Sequence, residues 1–391
     1  MINYDKLVNK VVDSLPPSGI RKFFDIAAEM EDAISLGVGE PDFITPWAIR
    51  EAGIYSLEKG QTYYTANAGL IELRTAICGY TKRKYNIEYD PKTEVLVTVG
   101  GSEAIDAMIR CVVNPGDEVL IVEPSFVCYK PLTAMAGGVP VVIETKEEDS
   151  FRLLPEQLKE KITDKTKLLI LPFPSNPTGG VMSKADFEAI AEVLRGTDIL
   201  VLSDEIYAEL RYGDEKHVPF SAIEGMRERT VVVNGFSKAF AMTGWRLGYA
   251  LGPERLIKLM TKVHQFGIMS SPTTAQYAAI EALTSCDDEV ENMRNEYDSR
   301  RRIIVDGFRN MGLSCFEPLG AFYVFPCIKS TGMTSQEFCE RLLAEEKVAV
   351  VPGTAFGECG EGFVRCSYAY SIENIQEALK RIEKFVKKYR K

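Results

Sequence analysis

Histidine is nearly missing from this chain: among 391 residues only His217 and His264 occur. A Ser-His-Asp hydrolase would need one of them, and neither sits in a recognisable catalytic motif. Cysteine occurs nine times but never as a CxxC pair. Scattered single thiols give neither zinc-ligand spacing nor a disulfide framework, so no metal site is expected and a reducing cytoplasm is the expected compartment. No apolar run approaches membrane-spanning length, and Met1-Ile2-Asn3-Tyr4-Asp5 does not read as a signal peptide. Blocks of one charge are absent too. Net charge is −10, and the one cationic cluster, Lys387-Lys388 with Arg390-Lys391, reads as a solvated helix end. A basic face for nucleic acid is therefore excluded.

What is present is ordinary soluble-protein composition, 46% hydrophobic and 26% charged, on a chain too long for one compact core. Apolar β-rich runs at 94–99, 118–123, 140–144, 167–171, 199–203, 230–234 and 246–251 alternate with helical spacing at 102–113, 155–161 and 184–194. That alternation predicts an α/β large domain with a mainly parallel, seven-stranded sheet over residues 46–285. Ligands of such sheets bind beyond the carboxyl ends of the strands. The remainder reads as a small α+β domain made of residues 1–45 with 286–391. It has a helix over Ser18–Glu31, a long charged helix over Asp287–Met311, a strand at 321–325, a helix at 335–343, strands near 348–351 and 363–367, and a helix from Ile372.

The chemistry concentrates at the ends of these strands. Lys238 follows the run Val231-Val232-Val233 and sits between Ser237 and Ala239 among apolar residues, with Arg246 eight positions on. In such surroundings an amine loses proton affinity and becomes a nucleophile and base, while an arginine fork suits a phosphate. A core lysine paired with a carboxylate is the plainer alternative. Together, lysine nucleophile and arginine anchor are what a pyridoxal phosphate enzyme needs. Asp204, at the end of a predicted strand, could hold a pyridine nitrogen protonated, with the phenol of Tyr207 nearby; it would serve equally as a helix cap. Asn176, in Pro174-Ser175-Asn176-Pro177-Thr178-Gly179-Gly180, can donate to a ring oxygen, or the segment is an ordinary turn. Gly100-Gly101-Ser102-Glu103 leads from strand to helix and offers free backbone N–H groups to an anion. Arg365 alternates with apolar residues in a strand and needs an anion, either a substrate carboxylate or a structural partner.

Taken together, SDEIY, PSNPTGG, NGFSKAFAMTGWRLGY, YTANAGLIELR, GEPDF and VRCSYA stand in order and spacing along essentially the whole chain. In this the chain resembles the fold-type I pyridoxal phosphate-dependent aminotransferases of classes I and II. It looks most like the subgroup of prokaryotic aspartate, aromatic and N-acetyl-LL-diaminopimelate aminotransferases. The resemblance implies that Lys238 carries the cofactor as a Schiff base and moves the proton between the substrate α-carbon and the cofactor. It implies that Asp204 pairs with the ring nitrogen, that Tyr207 and Asn176 hold the ring oxygen, and that Phe126 stacks on the ring. Gly101, Ser102, Glu103, Ser237 and Arg246 would bind phosphate, with Tyr64 reaching in from a partner subunit. Arg365 would grip the α-carboxylate with Asn176 and Gly39, and Ile20 and Phe322 would meet the substrate. A homodimer with shared sites is implied.

Two departures bear on specificity. Gly235 replaces a phosphate-binding serine of the family, and Ser102 stands where many aspartate-selective members carry lysine. The expected reaction moves an amino group between an aromatic, aspartate or related dicarboxylic L-amino acid and a 2-oxo acid such as 2-oxoglutarate. A carbon–sulfur β-lyase would use the same lysine and ring contacts.

Overall fold

The computed structural model describes residues 2–17, 19, 30 and 32–390. Ile20 and nearly all of the helix expected over Ser18–Glu31 lie outside the described residues. The seven predicted strands form one seven-stranded sheet: β1 (Val95–Thr98), β2 (Glu118–Glu123), β3 (Val139–Glu144), β4 (Thr166–Leu171), β5 (Leu200–Asp204), β6 (Thr230–Gly235) and β7 (Gly248–Leu251). Their spatial order is β1-β7-β6-β5-β4-β2-β3, with β7 antiparallel to both neighbours and the other pairs parallel. Runs such as Val231-Val232-Val233 are buried on both faces, as a parallel sheet covered by helices requires. One core packs Leu96, Leu168, Leu202 and Val233 against Ile105 and Met108 of the helix Gly101–Val112. Another packs Leu120, Leu169 and Val201 against Phe187 and Ile190 of the helix Lys184–Leu194.

One strand begins later than its apolar run predicts. Arg246 has φ 54 and closes a 3-10 turn over Thr243–Trp245, so β7 starts at Gly248. A third core is drawn mainly from residues 293–386. It joins the helices Asp287–Asn310, Ser335–Glu346 and Ile372–Tyr389 to the short strands Tyr323–Val324, Val351–Pro352 and Val364–Ser367. Ile34–Ser35 pairs in parallel with Val348–Ala349. Among the described residues, no helix is long and apolar enough to cross a membrane.

Candidate active site

The carboxyl edge of the sheet gathers the chemistry. Asp204 is the last residue of β5, Ser237 and Lys238 follow β6, and Pro172 follows β4. Gly101 and Ser102 open the helix after β1. Because β7 runs the opposite way, Arg246 just before its start arrives at the same edge. These residues, with Gly39, Phe126, Asn176, Tyr207, Tyr323 and Arg365, line a cavity of about 550 Å3.

The geometry inside is tight. Lys238 Nζ donates to the Gly39 carbonyl at 2.6 Å. Burial pulls its amine down from the ordinary 10.5 to about 8; the Arg365 charge pushes the same way and Glu40 opposes. Asp204 Oδ2 accepts from the Tyr129 hydroxyl at 2.7 Å. Its Oδ1 accepts from the Ile206 N–H at 3.3 Å, a loose cap that leaves the carboxylate facing the cavity. Burial lifts the Asp204 carboxyl to about 6, against the hydrogen bond from Tyr129. The Tyr207 and Tyr323 hydroxyls meet at 2.9 Å, and burial pushes the Tyr207 phenol well above its usual range.

Arg365 is the largest fully buried side chain among the described residues and lies over the Tyr323 ring at 4.4 Å. Its Nη1 donates to Asn176 Oδ1 at 2.9 Å and its Nη2 to the Gly37 carbonyl, while Nε is buried with no partner. A buried cation with an unsatisfied donor is costly unless an anion completes it. With its oxygen engaged by Arg365, Asn176 has its amide N–H left to donate. At the opposite end, Gly100 adopts φ +77, and a Cβ there would stand 2.8 Å from Arg246 Nη2. The first-turn N–H groups of Gly101–Glu103 have no carbonyl four residues back, so this end is built for an anion. The chain therefore presents an anion cradle at one end, a buried carboxylate beneath, a low-pKa amine and an incompletely paired arginine. That set fits pyridoxal phosphate with an amino-acid carboxylate.

Three sequence-predicted residues stand outside this cavity or turn from it. Phe322 is fully buried behind the cavity wall, against the Tyr207 ring, and its neighbour Tyr323 lines the cavity instead. The Glu103 carboxylate turns away to His264 and the Val99 N–H, leaving its backbone N–H as the only group for an anion. Tyr64 stands 81% exposed and outside the cavity. Ile20 lies outside the described residues. Sequence reasoning missed Tyr129, Tyr323 and the Gly37 carbonyl. It also found no site for the histidines, yet His217 Nε2 lies 2.8 Å from Glu205, the neighbour of Asp204.

Comparison with known proteins agrees over the full length. The family described as aminotransferase class I and II matches residues 31–382. The chain is 53% identical to the putative aminotransferase YugH of Bacillus subtilis, over 96% of this chain and 97% of that one. It is 49% identical to an aspartate aminotransferase of Pyrococcus abyssi, with the same coverage. The solved aromatic aminotransferase of Pyrococcus horikoshii superposes with a TM-score of 0.90 at 46% identity, over 94% of this chain and 99% of that one.

Proposed function

The chain belongs to the aminotransferase class I and II family and is a transaminase, and we propose that its cavity holds pyridoxal phosphate for exchange between an L-amino acid and a 2-oxo acid. The observation that carries this reading is the shared cavity of the Lys238 amine and the buried, incompletely paired Arg365. When bound, the cofactor supplies an electron sink for the electrons released at the substrate α-carbon. Lys238 would hold it covalently and would move the proton at that carbon. Asp204 keeps the ring nitrogen charged, held in place by Tyr129. Tyr207 and Asn176 orient the ring oxygen, and Phe126 supplies an apolar wall. Arg246, Ser102, Ser237 and the Gly101–Glu103 backbone take the phosphate. Arg365, with Asn176 and Gly39, orients the substrate carboxylate.

The cations lining the cavity among the described residues are Lys238, Arg246 and Arg365, each with an assigned task. Ser102 is neutral and Glu40 adds an anion, which favours an aromatic or otherwise neutral donor over aspartate. Aspartate and related dicarboxylic donors belong to the proposal through the names of the relatives, and a 2-oxo acid such as 2-oxoglutarate is the proposed acceptor.

The reading extends to a cytoplasmic homodimer whose sites are shared. It is supported by free cysteines throughout and by the exposed apolar side chains Trp47, Tyr63, Tyr64 and Phe266, with Tyr64 serving the partner's site. The division into a large domain over 46–285 and a small one from 1–45 with 286–391 belongs to the same reading. Replacing Lys238 by alanine tests the core of it. Turnover should vanish while the protein stays folded, and retained turnover would refute the assignment.

A further inference from the structure

We propose that His264 is a positioning residue for the phosphate-binding turn, acting through the Glu103 carboxylate. The turn packs too close to β7 for a side chain there to brace it. Gly248 passes so close that a Cβ on it would stand 2.6 Å from the Gly100 carbonyl carbon and the Gly101 nitrogen. Gly100 itself takes φ +77. Beyond what Thr98 of β1 supplies, its side-chain support comes from the helix side, through Glu103.

One Glu103 oxygen accepts the Val99 N–H, reaching back across the turn to the residue before it. The other meets His264 Nδ1 at 2.5 Å, and the His264 side chain is fully buried. Thr98 closes the rest, its carbonyl accepting the Gly100 N–H at 2.9 Å and its hydroxyl donating to the Gly100 carbonyl at 3.0 Å. The N–H groups of Gly101, Ser102 and Glu103 are left facing the anion site.

His264 comes from the helix Glu254–Gly267, far along the chain, and its Nε2 is buried without a partner. Among the described residues the ring's single polar contact is Glu103, so its placement serves that carboxylate. A proton on Nδ1 leaves Nε2 as a bare acceptor, cheaper to bury than an N–H lacking an acceptor. The bond also turns a carboxylate away from a site meant for an anion. Freed from His264, Glu103 would release the Val99 N–H and place its charge near the phosphate.

This inference rests on the reading that the turn receives the cofactor phosphate. The test compares binding of pyridoxal phosphate and of pyridoxal, which lacks the phosphate, to the cofactor-free enzyme. His264→Leu fills the space without an N–H. It should weaken pyridoxal phosphate about 10- to 100-fold, the loss of one charge-assisted hydrogen bond, and leave pyridoxal unchanged. His264→Asn sets an amide N–H near the Nδ1 position and should recover most of the affinity. Equal weakening of both ligands, or no recovery in His264→Asn while its thermal unfolding matches wild type, would overturn the proposal. Should wild type bind both ligands equally, the phosphate assignment of the turn fails instead. Should His264→Leu not fold, Glu103→Gln carries the same comparison, since it keeps an acceptor for Val99 and loses the charge that holds His264.

Discussion

Arg365 and Asn176 are joined side chain to side chain, Nη1 to Oδ1 at 2.9 Å, across the floor of the cavity. The bond links the strand Val364–Ser367 to the loop after β4, so the group proposed to grip a carboxylate and the group proposed to meet a ring oxygen set each other's position. The Nε left unpaired marks where the guanidinium is incomplete without substrate.

Replacing Arg365 by leucine should therefore weaken substrate far more than cofactor. Losing charge-assisted hydrogen bonds worth about 3 kcal/mol lowers kcat/KM by roughly 100-fold or more. Cofactor absorbance should be retained. Steady-state kinetics on a single amino acid, beside the visible spectrum, separate the two effects.

The Lys238 amine titrates at about 8, so its capture of an aldehyde by the cofactor-free enzyme should rise with pH through a midpoint near that value. Arg365→Leu removes a neighbouring positive charge and should move the midpoint upward. Stability carries the same signature. Between about 8 and 10.5 the folded chain binds fewer protons at this site than the unfolded one, so this site's contribution to stability increases with pH across that window. Thermal unfolding of Lys238→Met, with the contribution absent, is the check.

Asp204 titrates at about 6 in the absence of a cation beside it. Cofactor binding needs the carboxylate charged, so affinity should climb as pH rises through that value. Tyr129→Phe deletes a hydrogen bond that favours the anion and should shift the climb to higher pH. Dissociation constants measured from pH 5 to about 8 report it. An unshifted curve in the variant would remove Tyr129 from this role.

Gly100→Ala should loosen the phosphate end. Its φ of +77 costs an L-residue about 1–2 kcal/mol, and the new methyl would press on Arg246 Nη2. Cofactor affinity should fall by roughly tenfold or more, a drop that equilibrium dialysis can measure.

Most of the sheet could be read from the sequence because its strands, the edge strand Val139–Glu144 excepted, are buried along most of their length and carry apolar runs. Lys238, Asp204, Asn176 and Arg365 were legible because each stands beside such a run, where a polar residue is conspicuous. What stayed hidden depends on contacts between distant segments. Tyr129 meets Asp204 across 75 positions and His264 meets Glu103 across 161, and nothing local marks either pair. The choice between Phe322 and Tyr323 turns on which way a two-residue strand faces, and alternation alone leaves that phase open. Arg246 looked like a strand residue because apolar neighbours flank it, yet its left-handed φ is what brings it to Gly100.

Amino-group exchange at Lys238 is tested most directly by a spectrum of the holoenzyme before and after adding single amino acids. Visible absorption should fall on adding phenylalanine or tyrosine, with one equivalent of 2-oxo acid released. Absorption should return when 2-oxoglutarate is added. The same response to aspartate alone would move the donor class while keeping the reaction. Absence of any visible chromophore after reconstitution with pyridoxal phosphate would rule out amino-group exchange at Lys238. So would steady release of pyruvate and ammonia from cystathionine with no oxo acid present.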